Sequence, residues 1–159
     1  MRIQLVISGL GMAVLLAACG PAATPAVTSS KACSGGNAPH HAYVVVEHMS
    51  GSSLQQCVAF SGDLIEGQAL MDRSGVEYQA KSLSSGKVVC QVDNEPRAFV
   101  QCFPQNQPYW ALFVESGGVW SSAPGGYADV RLHNGEALGW HYVRAGDPAP
   151  APPPLVRQV

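Results

Sequence analysis

The chain has 159 residues, 47% of them hydrophobic and 13% charged, with nine Lys and Arg against eleven Asp and Glu for a formal net charge of −2. That length suits one ordinary domain. Charges this sparse and mixed exclude nucleic acid as a partner and offer no basic patch to an acidic membrane surface.

The first residues read as a targeting segment. Arg2 supplies a short basic start, and Ile3 to Leu16 is nearly all apolar, broken by Gln4, Ser8 and two glycines. This is too short and too interrupted for a membrane span. It ends in Leu16-Ala17-Ala18-Cys19-Gly20, which resembles the lipobox of bacterial lipoproteins, where the cysteine is diacylated and becomes the mature N-terminus. The expectation is a signal peptide over 1–18 and an acylated Cys19. Each buried methylene contributes about 0.8 kcal/mol, so two chains hold a protein at a bilayer where one does not. The cell membrane, on its extracytoplasmic side, is then the location. An ordinary secretory cut near Ala18, leaving Cys19 a stray thiol, is the alternative.

Residues 19–38 carry the candidate lipidated cysteine and then Pro, Ala, Thr, Ser and Gly without apolar periodicity, which predicts a flexible linker. At the other end, 146–159 contains "DPAPAPPP" and reads as a disordered Pro-rich tail, a spacer rather than a ligand for a partner domain. The folded part is 39–145.

Setting Cys19 aside leaves Cys33, Cys57, Cys90 and Cys102, an even number in an exported chain, hence two disulfides. Three pairings satisfy that count. Cys90 and Cys102 bracket a polar loop with a turn signal at Asn94-Glu95-Pro96, which favours their pairing and leaves Cys33 for Cys57. No paired CxxC knuckle supports a zinc site.

Within the domain, "HAYVVVEHM" (41–49) and "LQQCVAFSG" (54–62), joined by a short polar loop, predict a hairpin. "LIEGQALMDRS" (64–74) places Leu64, Ile65, Ala69 and Leu70 at helical spacing, with Gly75 as C-terminal cap and Asp63 and Glu66 near the positive end of the helix dipole. "KVVCQVDN" (87–94) is the next strand. After it, 109–115, 118–122, 127–132 and 138–144 are short strands separated by Gly-rich turns. One hairpin, one short helix and several strands predict an α+β fold, mainly β, with the sheet over the helix.

In order, "VVVE", "CVAFSG", "EGQALMDRSGV", "VVCQVDN", "YWALFVESGGVWSS" and "ALGWHYV" are similar to the C-terminal β domain of the cobalamin carriers transcobalamin and intrinsic factor. The similarity runs from Ala42 to about Val143. Its most specific pieces are Gly67 to Gly75, the Tyr109-Trp110 pair followed by Trp120, and Gly139-Trp140. The resemblance implies a β-grasp-like sheet around one helix. It brings cobalamin into view as a ligand, with no resident cofactor. The carriers' helical barrel has no counterpart in this sequence, so the resemblance supplies one half of such a site, and fold alone does not carry the activity across.

Two functions follow. One is capture of a corrinoid or another flat small molecule by Tyr109, Trp110, Trp120 and Trp140, since aromatic faces suit broad ligands. The other is a protein-interaction or envelope-structural module presented to a transporter or another exported chain. The aromatics also fit a plain core: along 109–115, Tyr109, Ala111, Phe113 and Glu115 share one face, and Trp110, Leu112 and Val114 the other. No GxSxG, HExxH or Gly-rich phosphate loop is present, so no enzyme is expected. His40, His41 and His48 lie near the first strand and His133 and His141 late in the chain, where a sheet could bring them together; a surface or satisfied core place is expected rather than a metal- or cobalt-ligating one.

Overall fold

The computed structural model describes residues 27–29, 32–84 and 86–155. The expected signal peptide, Cys19 and the first part of the linker lie outside the described residues. In chain order come β1 (Val27–Ser29), β2 (His40–Glu47), β3 (Ser53–Phe60), β4 (Ile65–Glu66), helix α1 (Gly67–Ser74), β5 (Tyr78–Leu83) and β6 (Gly86–Val92). Then follow β7 (Tyr109–Ser116), β8 (Val119–Ser122), a 3-10 turn at Tyr127–Asp129, β9 (Arg131–Leu132) and β10 (Ala137–Val143). This is the α+β, mainly β, fold that the sequence predicts.

Six strands form one mixed sheet in the order β1, β3, β2, β10, β7, β8. β2 and β10 run parallel at its centre, with antiparallel neighbours β3 and β7 outside them. Two small ladders, β4 with β9 and β5 with β6, lie apart from it. Central strands buried on both faces read as continuous apolar runs, and "AYVVV" in β2 is one. Its Ala42, Val44 and Val46 enter the main core, while Tyr43 and Val45 enter a second cluster on the opposite face.

The main core lies between the sheet's first face and α1. Leu70 and Met71 of the helix meet Val58 and Phe60 of β3, Trp110 of β7, Leu138, Trp140 and Tyr142 of β10, and Tyr127 and Leu132 beyond. Gly67 lets the helix come this close. A Cβ there would lie 2.1 Å from the Tyr127 carbonyl oxygen, and the Gly67 N–H donates to the Val130 carbonyl at 2.8 Å. Gly75 ends the helix in the left-handed region, as its position after Ser74 predicts.

Several expectations need correction. The helix begins at Gly67, directly after the two-residue strand β4; Glu66 makes no side-chain cap and instead lies 3.7 Å from Arg131 across the β4–β9 pair. The segment 127–132 is a 3-10 turn followed by a two-residue strand. β5, which pairs with β6, has no counterpart in the pattern, because its residues are mostly exposed and show no alternation.

Both ends are also tied down further than composition predicts. β1 pairs in parallel with β3 through backbone groups, which Pro, Ala and Ser content does not forbid. Cys33 is bonded to Cys57, and Ser34 donates its Oγ to the Arg73 carbonyl at 2.7 Å. The tail packs on the second face of the sheet as far as Leu155. Its prolines cannot join a ladder, but packing by their ring faces requires none.

Candidate functional site

The second disulfide is Cys90–Cys102, so both pairings are those the spacing favours. Cys102 lies in a loop rather than a second hairpin strand, so the bond pins the irregular segment between β6 and β7. The turn before that segment is held from the sheet. His48, just beyond β2, lies between two carboxylates, with Nδ1 2.7 Å from Glu95 Oε2 and Nε2 3.0 Å from Asp93 Oδ2. The carboxylates occupy opposite nitrogens of the ring and do not converge on a common point. Among the described residues no group of three His, Cys, Asp or Glu is arranged to hold a metal.

Trp110 completes this support. Its Nε1–H donates to the Glu95 carbonyl at 2.9 Å, and its ring lies 4.9 Å from that of Tyr142 and 6.1 Å from that of His48. Burial pushes the Tyr142 phenol up, and the Glu95 charge adds to it. Trp140 is likewise enclosed: its Nε1–H donates to Met71 Sδ at 3.3 Å and its ring lies 6.0 Å from Tyr127. Both indoles are core residues, 6% and 3% exposed.

Beside them lies a cavity of about 460 Å³ at the outer edge of β7. β8 pairs with β7 from Phe113 to Ser116, and the Ala123 N–H beyond it donates to the Leu112 carbonyl at 3.0 Å, so Tyr109 to Ala111 have no strand beside them on that side among the described residues. Lys87 to Val89 of β6, Phe103 of the disulfide loop, Ser122 at the end of β8, Ala123 and Gly125 to Tyr127 after it, and Pro150 of the tail close the space. Tyr109, Trp110 and Trp140 all reach it, with the Tyr109 and Phe103 rings 5.8 Å apart. The Lys87 ammonium donates to Gln68 Oε1 at 2.8 Å, so the cleft's cation is already engaged at its rim. The lining is mostly apolar and aromatic.

Trp120 goes elsewhere. It sits on the second face of the sheet, half-buried against both Tyr43-Val45-Cys57-Ala137 and Ala111-Phe113-Val143. A Cβ at Gly139 would fall 2.6 Å from the Trp120 ring and 2.8 Å from Pro153, so the bare glycine is what lets them lie flat on β10. Three of the four predicted aromatics therefore meet in the cleft, and Trp120 does not. Phe103 and Tyr127 were missed. Tyr127 follows Pro124-Gly125-Gly126, which marks only a turn, and nothing near Phe103 signals where its loop will fold.

No family model matches the chain, and no curated protein matches it. Among solved structures it is similar to that of a candidate metal-binding protein of Ruminococcus gnavus ATCC 29149, with 16% identity, a TM-score of 0.49, and coverage of 67% of this chain and 98% of that one. At that distance the likeness does not bear on what this chain binds. The resemblance to the transcobalamin-type domain rests on residue order alone.

Proposed function

We propose that this chain is a non-catalytic binding domain, held by acylated Cys19 at the outer side of the cell membrane, that captures a flat amphipathic small molecule in the β7 cleft. A corrinoid is the candidate that the residue order suggests. The observation that carries the reading is the cleft itself: about 460 Å³, within the usual range for ligand pockets, walled by Phe103, Tyr109, Trp110, Tyr127 and Trp140. The position of the tether suits it. The chain enters the sheet at β1, four strands from β7 in the order of pairing, or about 19 Å at the usual strand spacing. The cleft is thereby held away from the edge where the anchor attaches.

Titration calorimetry and tryptophan fluorescence with cobalamin and cobinamide test this. Saturable heat with quenching supports capture; neither signal at high ligand concentration leaves the interaction-module reading, which the open edge of β7 favours by offering backbone groups to an added strand. A Cys19→Ala variant should be released into the soluble fraction, and its retention at the membrane would overturn the lipid anchor.

A further inference from the structure

The C-terminal segment shows a pattern of burial that its sequence explains. From Asp147 to Pro154, Pro153 is buried and Pro150 half-buried, while the residues between and around them are exposed. A spacing of three is one turn of a polyproline II helix, so Pro150 and Pro153 project on the same side. Both meet built surface. Pro153 lies against Gly139 and the Trp120 ring, and Pro150 borders the cleft beside Phe103, Tyr109 and Phe113. Between them, the Ala151 carbonyl accepts from His141 Nδ1 at 2.6 Å, which requires that nitrogen to carry a proton. Leu155 then packs with Tyr43, Val45, Cys57 and Ala137.

These are the parts by which aromatic-lined grooves read proline-rich segments: a flat ring for one proline, a second site one turn away, and a side-chain donor for the carbonyl between. We propose that the second face of the sheet is a polyproline-recognition groove. Its occupant here is the chain's own tail, and its partner in trans is an extended proline-rich segment with prolines at i and i+3. The tail is joined directly to β10, which forms the groove's floor. Such a short connection gives an effective concentration in the millimolar range. The intact chain is therefore self-occupied, and a competing segment gains the groove only where the tail is displaced. The role of Trp120, unexplained by the cleft, is to be the platform for Pro153. Pro150 is shared with the cleft, whereas the Pro153 contact with Gly139 and Trp120 lies outside it, so the Trp120 signal reads the groove whatever the cleft captures.

The test uses the full chain. A P150D/P153D variant places two carboxylates where the groove is apolar, and neither position lies in a strand, so the sheet is retained, as far-UV circular dichroism would verify. In ¹H–¹⁵N spectra, the Trp120 indole signal, assigned with a Trp120→Phe variant, should move in P150D/P153D. A synthetic peptide of residues 146–159 added in trans should return it to its original position. The same peptide carrying Pro153→Ala should need at least about ten times the concentration, and a fluorophore-labelled wild-type peptide followed by anisotropy should bind the intact chain at least about ten times more weakly than the variant. An indole signal that P150D/P153D leaves unmoved, a peptide that does not restore it, or equal peptide response in variant and intact chain would each overturn the proposal.

Discussion

Replacing Gly67 by Ala sets two effects of opposite sign against each other. By propensity alone the change favours the helix, by up to about 1 kcal/mol. In this structure the new Cβ would sit 2.1 Å from the Tyr127 carbonyl oxygen, 3.2 Å from its carbon and 3.4 Å from Val130 Cβ. The first distance is far inside the 3.0 Å that real Cβ atoms essentially never breach, and the obstacle is backbone, which has no rotamer to change. Nor is that backbone free to retreat. The Tyr127 ring is fully buried between Trp140 and Tyr78, and Gly67 N–H is bonded to Val130. Relief requires α1 to lift by about 1 Å, loosening Leu70 and Met71 in the main core. Overpacking costs about 1–3 kcal/mol, and a backbone obstacle argues for the upper end. After the propensity gain, a net loss of about 2 kcal/mol is expected, or a Tm lower by roughly 8 °C for a domain of this size. Urea unfolding followed by tryptophan fluorescence measures it, as a lower midpoint at unchanged slope. A midpoint equal to or above that of the parent would refute the close approach of α1 to the 3-10 turn.

Three further outcomes are expected. Converting Cys90 and Cys102 to Ser should lower the unfolding free energy by about 3 kcal/mol, as a loop of this length does in the chain-entropy model, and should speed proteolysis between Pro96 and Pro108. Trp140→Ala should cost about 3–5 kcal/mol, as for other fully buried indoles, whereas Trp120→Ala, on the half-buried second face, should cost less than half as much; equal losses in urea melts would contradict the two placements. Acid should act through Glu136. Burial by itself raises this carboxyl, but bonds from Ser116 Oγ and the His133 N–H prevail, and it titrates below the usual Glu range. A folded-state value below the unfolded one means that the stabilisation is complete above the unfolded value and is lost as pH falls through the folded one. Glu136→Gln should therefore lower the neutral and alkaline part of a stability-against-pH curve and flatten its acid limb, the variant and parent converging at the acid end.

The strands legible in the sequence are those with a face or two to bury. β2, β3, β6, β7, β8 and β10 carry apolar or alternating residues and fall within two residues of their expected limits. The alternation along β7 is the expected one, with Trp110, Leu112 and Val114 on the first face and Tyr109, Ala111 and Phe113 on the second. A strand such as β1, in a segment without apolar periodicity, or one that stays exposed, such as β5, leaves no such trace, since hydrogen-bonded ladders do not depend on which side chains they carry.

The disulfide pairing was also readable, because a short bracketed loop brings Cys90 and Cys102 together whatever lies around them. By contrast, four aromatic side chains with similar sequence surroundings separate in space: Tyr109, Trp110 and Trp140 border one cleft, and Trp120 lies beneath the tail. The proline run illustrates the same division. Its composition determines an extended segment that cannot join a sheet, while its contact with Gly139 and Trp120 depends on β10 and β8 flanking β7. The sequence by itself determined the segments that bury apolar surface, because periodicity is a local property of the chain. Only the tertiary structure decided which aromatics share a cavity and what covers the second face, because those follow from strand order, which residues distant in the chain decide together.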